Sequence, residues 1–379
     1  MIRLLVVPVF ATAALFALAG CGRKESAALP PLVIDANGKP VKPVPPLTLA
    51  EPTALLSPDG ANLAAMEAED LLTIASQAMN AGDYRKAAAY QHAYVQKSKT
   101  GQYNLACFLS LINKVDDAFY WLQQAALDEG VDADHAETDP DLASLRRDER
   151  WKPVHQFLRL ANLYFEKTPS DKTLVILPKG YAKGTPIPVV LWMHGLGSNP
   201  ENFINEDCRE YADAMNVAFV GVSGTKSRGP RSYVWAEEPT KDAARLKAAL
   251  AEIADRVTVK PGHVITLGFS QGAQAGLDVA VRDPETYAGS IVLSPGAEPH
   301  LEGFTPSALL AKRGFVVSCG AKEHPGNVAL AKSDADWLLK AKAKLIHKPY
   351  PGVSAHSFPR DFAERLPEWV AFILKARQE

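Results

Sequence analysis

Five residues, Gly268-Phe269-Ser270-Gln271-Gly272, lie between an apolar run, His263-Val264-Ile265-Thr266-Leu267, and a helix-forming stretch, Ala273 to Ala280. A strand that turns sharply at a serine and re-emerges as a helix constrains the chain more than any other feature. Such a turn forces Ser270 into a strained backbone conformation. The flanking glycines remove side chains that would clash there. The serine oxygen then stands at the head of a helix, where the Gln271 amide can donate to an oxyanion forming beside it.

The residues around this turn repeat its alternation. Apolar runs at Thr173–Leu177, Ile187–Met193, Val217–Val222, Val264–Leu267, Ser290–Leu293, Phe315–Ser318 and Lys344–Tyr350 read as strands. Helical patterns at Asp242–Val257, Gln271–Val281, Asn327–Ala343 and Asp361–Lys375 lie between them. Short buried strands alternating with amphipathic helices predict an α/β domain over residues 163–379, a mostly parallel, doubly wound sheet covered on both faces. Ligands of such sheets bind beyond the carboxyl ends of the strands.

The chemical candidates fall at those ends. After Met193 the chain reads His194-Gly195-Leu196-Gly197-Ser198-Asn199-Pro200. Its glycines let the backbone approach a substrate, and the Leu196 amide is the candidate second oxyanion donor beside that of Gln271. His194 reads as a structural residue that holds this loop. His356 follows the last strand and precedes the last helix, so a loop opened by Pro351-Gly352 can carry it to Ser270 as a general base. His300, His324 and His347 are its rivals. A carboxylate that accepts the other imidazole N–H is expected after the strand ending at Ser318. Gly320-Ala321-Lys322-Glu323 fits, with Asp334 and Asp336 as alternatives.

The order Ser270, Glu323, His356, with His194-Gly195 upstream, resembles the α/β-hydrolase superfamily. Within it, Met193 to Asn202 is similar to the phospholipase/carboxylesterase and poly(hydroxybutyrate)-depolymerase-like branch. The resemblance implies a serine hydrolase that cleaves carboxylic esters through an acyl-enzyme, needs no cofactor and acts on a small-molecule or polymer ester. Glu323 departs from the aspartate that most relatives carry. Two other readings stay open: a serine peptidase of the same fold, and a non-catalytic envelope scaffold. Only Ser223–Thr240 and Pro299–Arg313 offer irregular length for a cap, which favours an open site and short-chain or small acyl groups. Phe203, Trp235 and Phe304 are candidate pocket residues for which core packing is the stronger reading.

Upstream, residues 61–160 change to an alanine-rich helical pattern. Ala81-Gly82-Asp83-Tyr84-Arg85-Lys86-Ala87 and Asn113-Lys114-Val115-Asp116-Asp117-Ala118 repeat one another at a spacing of about 31 residues. These segments resemble tetratricopeptide repeats, with Thr138 to Trp151 as a closing helix. The resemblance implies either a groove for a protein partner or a packing and spacing module. Trp121 and Trp151 read as core.

Residues 21–60 carry Pro30-Pro31, Pro40, Pro43, Pro45-Pro46, Pro52 and Pro58 and read as an extended, disordered linker. Before them, Arg3, an apolar stretch from Leu4 to Leu18 and Leu18-Ala19-Gly20-Cys21 resemble a lipoprotein signal with its lipobox. This implies lipidation of Cys21 after removal of residues 1–20. Gly22 in turn implies an outer-membrane anchor facing the periplasm. The apolar stretch is too short to span a bilayer, so membrane association is by the lipid alone. That compartment is oxidising and permits a Cys208–Cys319 bridge, with Cys107 buried in a helix. A net charge of −2 argues against nucleic acid as a partner, and no Cys or His pair has zinc-ligand spacing, so no metal is expected.

Overall fold

The computed structural model describes residues 31–205 and 207–378. The stretch read as a signal peptide, and Cys21 with it, lie outside these residues. The described chain divides into two compact units. One comprises residues up to Ser170 together with Ser227–Ser232; the other comprises Asp171–Lys226 and Tyr233 onward.

The first unit is helical. Helices α1 (Ala68–Asn80) and α2 (Tyr84–Ser98) form one hairpin, and α3 (Gln102–Leu111) and α4 (Val115–Asp128) form a second. The two turns are equivalent. Gly82 and Asn113 both take left-handed backbone, φ 76° and 62°. These residues tolerate that region better than most. Asp83 caps α2 by accepting from the Lys86 amide at 3.1 Å. Ala87 and Ala118, the repeated alanines, are fully buried where neighbouring helices press together. Short helices α5 (Ala133–Thr138) and α6 (Ala143–Arg146) lead into α7 (Trp151–Lys167), which runs past the expected end at residue 160. Trp121 and Trp151 are buried in this core, as expected.

The proline-rich stretch departs from the disordered linker that its composition predicts. Leu47, Leu49, Leu55, Ala61 and Leu63 pack against the helical core. Proline fixes φ and removes donors, which keeps a segment extended but does not keep it off a surface.

The second unit is built on a seven-stranded sheet. Its strands are β1 (Thr173–Ile176), β2 (Ile187–Met193), β3 (Ala218–Val222), β6 (Val259–Phe269), β7 (Tyr287–Leu293), β8 (Gly314–Gly320) and β9 (Lys344–Tyr350). Their order is β1-β3-β2-β6-β7-β8-β9. Only β1 runs antiparallel to its neighbour. The expected mostly parallel, doubly wound sheet is thus the observed one. Alternation along β2 shows how the residues sort. Val189, Leu191 and Met193 face one apolar layer, and Val190 and Trp192 face the other. Helices α9 (Pro239–Glu252), α10 (Gln271–Arg282) and α11 (Pro325–Lys340) cover the first face; α8 (Asp207–Met215) and α12 (Phe362–Gln378) cover the second.

Two elements were not anticipated. α8 has no long apolar run to announce it. The stretch 223–240, expected to be irregular, contains a hairpin of β4 (Lys226–Gly229) and β5 (Ser232–Val234). The Cys208–Cys319 bridge does not form. Cys208 packs on one face of the sheet and Cys319 on the other, and these two and Cys107 are buried thiols outside any disulfide among the described residues. A disulfide needs Cα atoms within about 7 Å, and a sheet separates these two. Among the described residues no helix is long and apolar enough to cross a membrane.

Candidate active site

Parallel register brings the carboxyl ends of six strands into line. Met193 pairs with Val222 and Gly268, Phe269 with Leu293, Leu293 with Ser318, and Gly320 with Tyr350. The loops that follow these residues converge. At their centre Ser270 has φ 56° and ψ −123°, a region that costs a non-glycine residue about 1–3 kcal/mol. Its surroundings hold it there: its amide donates to Leu293 O at 3.0 Å and its carbonyl accepts from Ala273 N at 3.0 Å. The motif glycines are required by contact. A Cβ on Gly268 would stand 2.2 Å from Gly272 O, and one on Gly272 would stand 2.3 Å from His194 O.

Ser270 Oγ lies 3.0 Å from His356 Nε2. His356 Nδ1 lies 3.0 Å from Glu323 Oε2. With the carboxylate ionised, Nδ1–H donates to it, and Nε2 is left free to accept from the serine hydroxyl. Burial would raise the Glu323 carboxyl. Hydrogen bonds from His356, from the Gly320 amide at 2.8 Å and from Ser294 Oγ at 2.7 Å outweigh that and hold it below its usual range. Phe269 packs against the His356 ring with centroids 4.8 Å apart.

The loop after β2 lies against the serine. A Cβ on Gly195 would come 3.2 Å from Ser270 Cβ. The loop is anchored to the β4–β5 region through Gly197 N donating to Tyr233 O at 3.0 Å and Tyr233 N donating to Ser198 O at 2.9 Å. The Leu196 N–H has no internal acceptor among the described residues. The Gln271 N–H opens α10, where no intrahelical acceptor exists. Both candidate oxyanion donors are thus unspent. The Gln271 side chain is held elsewhere, accepting from Trp235 N at 3.0 Å and donating to Glu237 at 2.8 Å.

His194 has the structural role read from the sequence. It is fully buried. Its Nε2 accepts from Gly224 N at 2.8 Å while Nδ1 donates to Gly195 O at 2.7 Å. Burial pushes its pKa down to about 4, which keeps the ring neutral. Both ring nitrogens are committed, so it has no lone pair for proton transfer. The stability that this neutral burial supplies is present above about pH 6.5 and is lost as pH falls toward 4.

The rival residues stand apart from Ser270. His300 pairs with Asp278 at 2.9 Å, His324 caps α11 by accepting from Gly326 N at 3.2 Å, and His347 lies within β9. Asp336 is exposed and pairs with Lys332 at 2.6 Å. Asp334 is fully buried under α11, reached by Gln274 Nε2 at 3.4 Å. Phe203 stacks on Trp192, Trp235 is buried with its indole N–H on His194 O, and Phe304 stacks on Trp337. All three serve packing.

Three residues at the site went unread in the sequence. Ser294 adopts φ 44° and donates to Glu323. Gly296 backs onto the serine, because a Cβ there would stand 2.5 Å from Ser270 Oγ. Asn327 Nδ2 reaches Glu323 Oε2 at 3.4 Å and lies 3.1 Å from His356 Nδ1. The signal for the first two was Ser294-Pro295-Gly296 directly after a buried strand; nothing local marks Asn327. In the helical unit, ligand atoms of Cys107, Asp139 and Asp141 lie within 4.8 Å of one another. Asp139 Oδ2 already accepts from Tyr103 at 2.7 Å, and burial pushes the Cys107 thiol well up, away from the thiolate a metal needs.

Residues 168–356, about half of the chain, match the family described as Putative esterase. The enzyme class that this match supports for the region is carboxylic ester hydrolase. A curated relative, Putative esterase NocK of Nocardia uniformis subsp. tsuyamanensis, is 30% identical over 106 residues, which cover 27% of this chain and 31% of that protein. The chain thus spans about a third of the length of that relative. Among solved structures, an uncharacterized Bacillus cereus protein is 18% identical with a TM-score of 0.41, covering 80% of this chain and 98% of its own. A Bacillus cereus carboxylesterase is 17% identical with a TM-score of 0.42, covering 56% of this chain and 99% of its own.

Proposed function

We propose that the second unit is a serine esterase working by two-step acyl transfer, with Ser270 as nucleophile, His356 as general base and Glu323 as the acid that orients it. The observation that carries this is the hydrogen-bonded line Ser270 Oγ, His356, Glu323, with both links at 3.0 Å and a strained serine at its head. His356 Nε2 takes the hydroxyl proton as Oγ attacks the ester carbonyl. The Leu196 and Gln271 amides stabilise the oxyanion. The imidazolium protonates the departing alcohol oxygen. Water then attacks the acyl carbon as the same nitrogen takes its proton, and the imidazolium returns that proton to Ser270 Oγ as the acyl–Oγ bond breaks and the acid leaves. Glu323 stays ionised throughout and stabilises the imidazolium.

An open site with small or short-chain acyl groups is the substrate class we assign. The first unit is read as tetratricopeptide-like on its repeated turns at Gly82 and Asn113 and its buried Ala87 and Ala118. The protein is assigned to the cell envelope, anchored through a lipid on Cys21 on the outer membrane and facing the periplasm, on its lipobox-like sequence.

The test is turnover of p-nitrophenyl esters from acetyl to palmitoyl by the chain and by Ser270→Ala. Loss of at least about 10⁴-fold in the variant is expected. Rates should fall steeply with chain length. A variant that keeps full activity would overturn the assignment. Faster cleavage of an amide than of the ester with the same acyl part would move it to the peptidases.

A further inference from the structure

Pro43 to Ala50 lies on the helical unit with a two-residue period. Pro43, Pro45, Leu47 and Leu49 are half-buried, and Val44, Pro46, Thr48 and Ala50 between them are exposed. That is the pattern of an extended strand with one face on a surface. Among the described residues no sheet neighbour supports it. Its backbone is read by a side chain instead. Gln123, buried on α4, accepts from Leu47 N at 3.0 Å and donates to Leu47 O at 3.2 Å. An amide that satisfies both main-chain groups of one residue reads an extended peptide without regard to its side chain, and flanking pockets supply the choice.

The path continues across the unit. Glu51 comes near enough for its charge to act on His92 of α2 and Tyr120 of α4. Leu55 returns to the core. Asp59 closes the run, accepting from Tyr90 Oη at 3.0 Å and pairing with Lys86 Nζ at 2.6 Å. The partners on the helices are polar groups placed for a backbone and a carboxylate. Without the segment, the Gln123 amide would be left in a largely apolar setting with no partner.

We propose that α2 and α4 form a peptide-binding groove, specific for an extended segment with alternate leucines followed by a carboxylate, and that residues 43–59 of the same chain fill it in cis. The groove is then regulated by its own tether: a peptide of the same chemistry must displace a segment whose covalent attachment gives it a millimolar effective concentration. This is independent of the ester chemistry and stands or falls without it.

The test inserts a site-specific protease sequence between Gly60 and Ala61, where Gly60 has open space around it. The full chain folds with its segment in place and is cut afterwards. A fluorescent peptide of residues 43–60 is then titrated. The cut chain should bind it saturably and the intact chain at least about tenfold more weakly. Gln123→Ala should weaken the cut chain's binding at least about tenfold. A peptide with L47D and L49D should not bind. The proposal is overturned if the cut chain takes up no peptide, if it takes up the substituted peptide equally, or if it loses its helical signal when the segment leaves. As an independent check, Gln123→Ala in the uncut chain should speed amide exchange at Leu47 and Leu49 while α3 and α4 stay protected. Equal loss across all of them would make the segment a fixed part of the core.

Discussion

Glu323 and Asp334 are both buried carboxylates of the same unit, and both are candidates for the acid when only the sequence is read. Glu323 sits in a turn just past β8, where His356, Ser294 and the Gly320 amide all aim donors at it. Its charge is stabilised despite burial. Asp334 faces the sheet from α11, one donor reaches it at 3.4 Å, and its Oδ2 has no partner among the described residues. Burial, opposed by Gln274 and reinforced by the Asp278 charge, pushes its pKa up to about 7. Depth is therefore not what prepares a carboxylate to support an imidazolium. Preorganised donors are, and a strand-end loop supplies them where the middle of a helix cannot, its own amides being spent on the helix.

Three measurements press on this contrast. The largest effect is expected for Glu323→Gln, which keeps the shape and removes the charge. Turnover should fall by about 10⁴-fold, while Asp334→Asn stays within about threefold of the parent. Equal losses would remove the distinction. A smaller effect is expected at Asn327, whose Nδ2 donates to Glu323 Oε2 and lies against His356 Nδ1. Asn327→Ala should lower kcat by about 10²-fold or less with KM little changed, and Asn327→Asp should not restore it, because a second carboxylate beside Glu323 raises both. A rise in KM with kcat unchanged would make Asn327 a substrate contact instead.

The smallest effect is on stability, and its sign differs between the two residues. Glu323 has a lowered folded pKa. Its contribution is present above about pH 4.5 and is lost as pH falls. Asp334 has a raised one. The folded state holds a proton that the unfolded state has released, so stability falls as pH rises from about 4 to about 7. Thermal melts should show Asp334→Asn above the parent at pH 8, by on the order of 5 °C, with the gap closing near pH 4. Glu323→Gln should lie below the parent at pH 8 and converge with it in acid. Parallel curves across the range would mean that neither carboxylate is coupled to folding as described.

The same contrast explains what could be read in advance. The strands, the turn at Ser270 and the glycines around it depend on neighbours in sequence, and those signals led to the sheet and to Ser270, His356 and the Leu196 loop. Asn327 carries no local mark. It matters because the first turn of α11 places it beside the loop after β9, two segments that only the sheet brings together. The two cysteines failed for the same reason in reverse: compartment and count permit a bridge, and the sheet between them forbids it. The proline-rich stretch misled because composition reports how stiff a segment is. It does not report whether a complementary surface waits for its alternate residues.

By itself the amino-acid sequence determined the periodicities, the glycine-flanked serine turn, the repeated helix-turn signals and the chain order of the chemical residues. All of these follow from backbone sterics and side-chain spacing within a few residues. Only the tertiary structure decided which of three carboxylates meets His356, which histidine is locked neutral, which thiols stay apart and where residues 43–59 rest. Each of those depends on distances between segments far apart in the chain, and on whether a buried polar group finds its donors at the end of that path.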